Sequence, residues 1–529
     1  MCRGDLNQMI VLNNRSKNDY KSDNVIENLL YQNYVDDPRM YMYGAHEHDV
    51  KLKNIERAVE VFKNVTSKSN CTIGIVVDSD VDGYTSAGLL CRGINQYNPD
   101  INIKCYLHEE KTHGLNNDIG LWNELDQLSM VIVPDAGSEN ANEARMLYDH
   151  GIAVIVLDHH TDIIESDYSV IVNNQLDNYP NKALSGVGVT YKFLKELGVD
   201  VSEWMDLVAL GLVADLMDIR DIENKFLINR GLNNIKTPII KALIKNYHTI
   251  KGLGFSVAPY INATIRVGSI QVRQLLFKSI AGYTTAVEDD LLLESMKECK
   301  RIQSELVEKL KELNIITHKE NIVISEDPYC MEKAKNVYGL LASQIMERVK
   351  VPVCVVGNYN NVYSGSCRSP VSIKDLINNS GLAVAKGHNK SFGITIDDRK
   401  TFNDLNALLS GETDKLNRDV TTVNYIVDQN DINASLIKKL AEFNKYVGKG
   451  ILPCSILIKD LDIYAKAMKN DTVSFNINGV KCIKFKTPED MRNIMNTNNI
   501  NIVAVPEINT YNGVEYPQLG ILKYEINER

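Results

Sequence analysis

Eight residues that could do chemistry sit where short apolar runs end. Asp78-Ser79-Asp80-Val81-Asp82-Gly83 follows Ile73–Val77, and Pro134-Asp135-Ala136-Gly137-Ser138 follows Met130–Val133. Asp158-His159-His160 follows Ala153–Leu157, and Asp215 closes Leu210-Gly211-Leu212-Val213-Ala214. In extended chain, residues two apart share a side, so Asp78, Asp80 and Asp82 would point together. Carboxylates that close raise one another's pKa unless cations neutralise them. The plain alternative is a calcium-type surface loop or a solvated acidic turn. It is weakened by the apolar strand immediately before the run and by the lack of an EF-hand's loop length and terminal glutamate. A single strand-end aspartate is more often a helix N-cap than a ligand, and an isolated histidine pair is more often surface or core. Three acidic strand ends converging on one crevice are harder to dismiss. Mixed carboxylate and imidazole ligands suit manganese first and magnesium second. Two such ions, about 3.5–4 Å apart, would clamp the attacking and leaving oxygens of a phosphoester, and a water whose pKa falls from ~15.7 toward ~7 would be the nucleophile. Residue chemistry alone therefore reads as a two-metal phosphoesterase.

The elements that must position these residues follow from the pattern around them. Buried runs alternate with stretches of helical length, Ser86–Tyr97 and Ala141–His150, as in a parallel α/β sheet. Ligands gather at the carboxyl ends of the strands in such sheets. Residues 1–70 read as a helical segment, with Leu52, Ile55, Val59 and Phe62 at helical spacing. From about Asp290 to Leu313, Leu292, Met296, Cys299, Ile302, Leu306 and Leu310 recur every three or four residues, predicting a long connecting helix. The expected organisation is a catalytic domain over 71–284, the connector at 285–315, a second α/β lobe over 316–405, and a β-rich domain over 420–529. In the last, Val473, Phe475 and Ile477 alternate into Asn478-Gly479, a hairpin signal.

Composition sets bounds. The 529 residues carry 58 Lys and Arg against 68 Asp and Glu, a net charge of −10. That disfavours a protein that coats DNA non-specifically, yet leaves room for a local basic groove. The ten cysteines are scattered without a CxxC pair, which fits a reducing compartment. With neither a signal-peptide pattern nor a run of about 18 apolar residues, an intracellular, soluble protein is expected.

The order of these motifs resembles the DHH phosphoesterase superfamily, and further matches resemble its RecJ-type single-stranded-DNA exonucleases. Asn173–Gly188 is similar to the stretch that follows the DHH motif, and Ala258–Arg266 to the Pro-x-x-Asn-Ala-x-Gly-Arg element. Gly339–Arg348, Gly365-Ser366-Cys367-Arg368-Ser369 and Gly387-His388 with Ser391-Phe392-Gly393 are similar to the DHH-associated domain. The resemblance spans roughly residues 35–400, and the β-rich tail would suit the family's OB-fold. It implies two α/β lobes around a cleft and metal binding by Asp78, Asp80, Asp82, Asp135, Asp158, His159 and Asp215. His160 and Asp158 would act in catalysis. Arg266, Ser366, Arg368 and His388 would hold substrate phosphates. The implied activity is 5′-to-3′ hydrolysis of single-stranded DNA to nucleoside 5′-phosphates with two Mn2+ or Mg2+ ions, in repair or recombination. The implied setting is the cytoplasm of a bacterium or phage-infected host, with a monomer meeting a single-strand-binding protein or helicase and no membrane. The alternatives are a DHH phosphodiesterase acting on short oligoribonucleotides or cyclic dinucleotides, and a non-catalytic DNA- or replisome-binding scaffold. Ile265 and Lys386 stand where the family has glycines, and Ser391-Phe392 where it has small residues. These departures would reshape the DNA path, but no expected carboxylate is missing.

Overall fold

The computed structural model describes residues 10–13, 15, 22–68, 70–109, 112–115, 120–312, 315–318, 322–327, 330, 333–359, 362–413, 421–485, 488–511 and 514–527. A short strand β1 (Ile10–Leu12) precedes the helices Val25–Gln32, Pro38–Tyr43 and Ile55–Thr66. The last of these lays Phe62 edge-on against Phe193, ring centroids 5.8 Å apart.

The first sheet contains β2 (Thr72–Val77), β3 (Asn102–Leu107), β4 (Met130–Pro134), β5 (Ala153–Asp158) and β6 (Val170–Asn173) in the order β3-β2-β4-β5-β6. Every pairing is parallel. The inner strands β2, β4 and β5 are the apolar runs read from the sequence, almost wholly buried because helices cover both faces. The edge strands are more polar or shorter: Asn102-Ile103-Lys104-Cys105 hides little in the apolar pattern. Parallel order places Val77, Pro134 and Leu157 at one rim, so Asp78, Asp135 and Asp158 are brought together by register.

One expectation about this rim is corrected. Asp78 to Asp82 is not extended, because the helix Val81–Tyr97 begins within it, with Asp80 as N-cap accepting from Gly83 N at 3.0 Å. The three carboxylates converge through a strand-to-helix turn rather than through strand alternation.

A helix runs over Ala286–Glu312, where the periodicity predicted Asp290–Leu313. Its buried stripe is Leu292, Met296, Cys299, Gln303, Val307 and Leu310. Beyond it lie β7 (Ile315–His318), β8 (Ile322–Asp327), β9 (Val353–Tyr359), β10 (Val362–Arg368), β11 (Val384–His388) and β12 (Ser391–Ile396). They form a mixed sheet in the order β11-β12-β10-β9-β8-β7, with the helix Tyr338–Val349 between β8 and β9.

A small strand β13 (Thr421–Val423) pairs parallel with β1. The last sheet comprises β14 (Tyr425–Ile426), β15 (Ile456–Asp462), β16 (Lys466–Met468), β17 (Thr472–Ile477), β18 (Val480–Lys484), β19 (Asn499–Tyr511) and β20 (Val514–Ile526), ordered β14-β15-β19-β20-β18-β17-β16. Asn478 and Gly479 join β17 to β18 with φ of +48° and +85°, the primed turn that suits a right-twisted hairpin. This part of the chain shares a continuous apolar core with the first, fringed by polar contacts. Asn424 Nδ2 donates to Gln32 Oε1 at 2.6 Å, and Lys225 Nζ lies 4.7 Å from the Tyr446 ring and 5.4 Å from that of Tyr41.

Candidate metal centre and active site

The turn after β2 supplies two buried carboxylates that are held very differently. Asp78 accepts from Gly114 N at 3.2 Å and pairs with His113 Nδ1 at 2.7 Å, with His108 Nε2 3.9 Å away. Burial pushes this carboxyl up, but His113 and His108 hold it below the usual range. Asp82 points to the start of the helix Gly186–Leu197, accepting from Gly186 N at 2.7 Å, Val187 N at 3.2 Å and Ser185 Oγ at 3.2 Å. A helix N-terminus suits a carboxylate. Even so, burial and the nearby charge of Asp80 push Asp82 up to about 6.

Asp135 leaves β4 with φ +65° and donates its N–H to Leu157 O at 2.8 Å. Gly186 lies so close that a Cβ there would be 2.6 Å from Asp135 Cβ. At Gly211 a Cβ would collide with the Asp82 carboxylate. Two glycines thus let two helices close on the acidic rim.

At the end of β5, Asp158 does not face the other carboxylates as a free ligand. Its Oδ1 accepts from His159 N at 2.7 Å, His160 N at 3.2 Å and His160 Nδ1 at 2.7 Å, and its Oδ2 from Ser138 N at 3.0 Å. Asp158 shapes the turn and fixes the His160 ring. Burial opposes charge on that ring, but the carboxylate outweighs it and His160 is pushed up to about 10. The turn is also pinned from behind, since Asn173 Nδ2 donates to His160 O at 3.0 Å and Gln175 Nε2 to His159 O at 3.1 Å. His159 Nε2 lies 3.2 Å from Asp135 Oδ1 and 3.5 Å from Asp215 Oδ2. Asp215 is the C-cap of the helix Met205–Ala214.

Three overlapping sets of donors result, each with ligand atoms within 4.8 Å of one another: Asp82, His159 and Asp215; Asp78, Asp80 and Asp135; and Asp135, Asp158, His159 and His160. Asp135 Oδ1 and Asp215 Oδ2 are buried and accept no hydrogen bond. Burial, then the charges of neighbouring aspartates, pushes both carboxyls well up. Buried, mutually repelling oxygens that share only the nearby His159 ring and form no regular hydrogen bond are what a divalent cation would neutralise, so the residues fit such an ion.

Arg266 and Arg368 approach this rim from the helix Ala258–Val267 and from β10. The enclosing protein, and then Arg368, push Arg266 down to about 10, while Asp80 acts in the opposite sense. Arg368 Nη1 donates to Cys367 O at 2.8 Å, and Gly339 leaves room for its guanidinium. Among the described residues neither arginine forms a salt bridge. Ser366 lies two residues before Arg368, partly buried on β10. The His388 backbone pairs with Ser391, and its side chain lies outside the described residues. Tyr338 and Tyr363 are packing residues: Tyr338 donates to Asp327 Oδ2 at 2.8 Å, and Tyr363 packs on Phe402.

His108 and His113 were not singled out by the sequence, since a lone histidine in a polar loop carries no signal. Asn173, Gln175, Ser185 and Gly186 fall inside a stretch already noted by resemblance, but their donor roles needed coordinates.

Residues 72–212 match the DHH family, N-terminal domain. That domain marks this part of the chain as a metal-dependent hydrolase of DHH type, and the relatives the chain resembles are of the RecJ type. The chain is 29% identical, over 96% of this chain and 97% of the relative, to an SPbeta prophage-derived protein of Bacillus subtilis (strain 168), YorK, provisionally named a single-strand DNA-specific exonuclease. It is 25% identical to the single-stranded-DNA-specific exonuclease RecJ of the same organism, over 90% of this chain and 64% of that one. Its fold is that of RecJ from Thermus thermophilus crystallised with Mn2+, with a TM-score of 0.79 and 19% identity over 95% of this chain and 76% of that one. Among the described residues no helix is long and apolar enough to cross a membrane.

Proposed function

We propose that the chain is an exonuclease that removes nucleotides from single-stranded DNA in the 5′-to-3′ direction, using two divalent ions, in repair or recombination. The observation that carries this reading is a buried cluster of mutually repelling carboxylates gathered around His159, next to two arginines that form no salt bridge among the described residues. One surface collects cations and the other an anion, as a phosphodiester between metal ions requires. The names of the B. subtilis relatives support the substrate and the exonuclease mode.

Asp78, Asp80, Asp82, Asp135, His159 and Asp215 would hold Mn2+ or Mg2+, with Asp158 acting as ligand or, as its hydrogen bonds favour, as the residue that orients the turn. Ions bound there would polarise the phosphoryl oxygens and acidify the attacking water. His160, held as a cation by Asp158, would contact the scissile phosphate and keep a proton beside the leaving oxygen. Arg266 and Arg368 would grip phosphate oxygens bidentately, with Ser366 and His388 completing the grip. The turns that carry Asp78, Asp82, Asp158 and His160 are fixed by hydrogen bonds, which favours preorganisation.

The test is time-resolved digestion of a 3′-labelled single-stranded oligonucleotide with Mn2+, beside a blunt duplex and Asp82→Ala. Stepwise shortening of the labelled single strand, absent from the duplex and the variant, is expected. Immediate release of labelled mononucleotide would reverse the polarity. Cleavage confined to dinucleotides would move the reading to a small-substrate phosphodiesterase, and binding without cleavage to a scaffold.

A further inference from the structure

The helix that ends at Asp215 finishes in an unusual way. Leu216 N donates to Val213 O at 3.3 Å, and Met217 N donates to Leu212 O at 3.1 Å. These are the two bonds of a Schellman cap, whose next residue after the C-cap must be left-handed and is usually glycine. Here that residue is leucine, with φ +56°. A bulky side chain in this conformation is an outlier and costs stability relative to glycine. Burial does not offset the cost, because Leu216 is 65% exposed.

A second apolar side chain emerges at the same seam. Phe255, 78% exposed, lies in the π-helical turn Leu253–Val257, which leads into the helix carrying Arg266. Its neighbour Gly254 packs against the last turn of the Asp215 helix, where a Cβ would stand 3.5 Å from Val213 Cγ1. π-turns recur at functional sites. Single exposed apolar residues are ordinary. A strained leucine covalently next to Asp215, with an exposed phenylalanine on the segment that packs its Gly254 against the same last helical turn and then feeds Arg266, is a different case.

We infer that Leu216 and Phe255 form an apolar floor on which the bases of the single strand rest while its backbone lies at the metal centre. The inference rests on the reading given under Proposed function and deepens it by naming what the site does with the bases. Carboxylates and arginines grip the phosphate, and an apolar contact accepts any base by its face, which gives hold without sequence preference. Leucine persists at the cap because glycine there would present nothing to the strand.

The experiment compares wild type with Leu216→Gly, Leu216→Asn and Phe255→Ala, all with Mn2+. The substrates are a single-stranded oligonucleotide and the same strand with abasic residues at both ends. Asparagine tolerates the left-handed region, so it removes the apolar group without changing the backbone. KM for the intact strand is expected to rise ~10-fold in each variant. Wild type should lose a similar factor on the abasic strand, and the two losses should not multiply. Leu216→Gly should also raise the melting temperature by about 1 °C by relieving the cap. Wild-type KM in the folded variants, losses that multiply, or a lower melting temperature for Leu216→Gly would overturn the inference. Failure of wild type to digest either strand would instead remove the reading on which it rests.

Discussion

Asp135 shows what the site costs and what it is for. Its Oδ1 is buried among carboxylates of like charge, facing His159 Nε2 at 3.2 Å without a regular hydrogen bond. In metal-free protein the Asp135→Asn variant therefore removes repulsion along with a ligand. Its melting temperature in a chelator is expected to exceed that of wild type, equivalent to ~1 kcal/mol, while Mn2+-supported hydrolysis falls at least ~100-fold. Calorimetry and a nuclease assay on the same preparation check both halves, and a variant less stable than wild type without metal would contradict the repulsion. Asp158 belongs to a different kind of residue. It accepts from donors of its own turn and from Ser138, so it organises His160. The resemblance implied a ligand role for Asp135 and a ligand or orienting role for Asp158, but sequence alone could not decide between the two for Asp158. Only the donor pattern separates them.

At the scale of elements, the first turn of the helix Gly186–Leu197 serves the carboxylates twice, donating N–H groups to Asp82 and leaving room for Asp135. Gly186→Ala should cost ~1–3 kcal/mol and abolish detectable hydrolysis, because the added Cβ overlaps Asp135 Cβ and Cα. Denaturant melts and turnover assays read the two effects. The same helix is fastened outward by Lys192, which bridges Glu47 at 2.8 Å and Glu223 at 2.5 Å. Burial pushes the Glu47 carboxyl up, but hydrogen bonds from Lys192 and Lys195 prevail and hold it at about 2, against 4.5 in the unfolded chain. Its folded value is depressed, so its contribution is complete above pH 4.5 and lost as pH falls toward 2. Glu47→Gln should destabilise by on the order of 2–3 kcal/mol at neutral pH, and its stability curve should meet that of wild type below that window. Much of this level was legible. The buried strands β2, β4 and β5, the Ala286–Glu312 helix and the Asn478-Gly479 hairpin follow from periodicity and turn chemistry. The polar edge strand β3 and the short β6 were not, since neighbours rather than composition make them strands. The helical start at Val81 was missed for a related reason: aspartates spaced by two look extended until one of them caps a helix.

For the whole molecule, the proposed function has an acidic chain reach a polyanion through a local pair of cations, Arg266 and Arg368. Arg266→Ala and Arg368→Ala should each weaken binding to single strands of any sequence and lower the slope of log affinity against log salt by about 1. An unchanged slope would place these arginines outside the phosphate path. Their side chains come from a helix behind the first sheet and a strand of the second, so the relation between the two sheets decides the site. Motif order implied two lobes around a cleft, whereas the absence of a carboxylate partner for either arginine among the described residues could be seen only in three dimensions. The central claim is that the rim of the first sheet is a centre for divalent ions. It is tested most directly by anomalous diffraction at the manganese edge from crystals soaked in Mn2+. The account predicts peaks bounded by Asp82, Asp135, His159 and Asp215. Peaks only at the His48, Asp221 and Glu223 cluster, the other group with ligand spacing among the described residues, or no peaks at all, would contradict it.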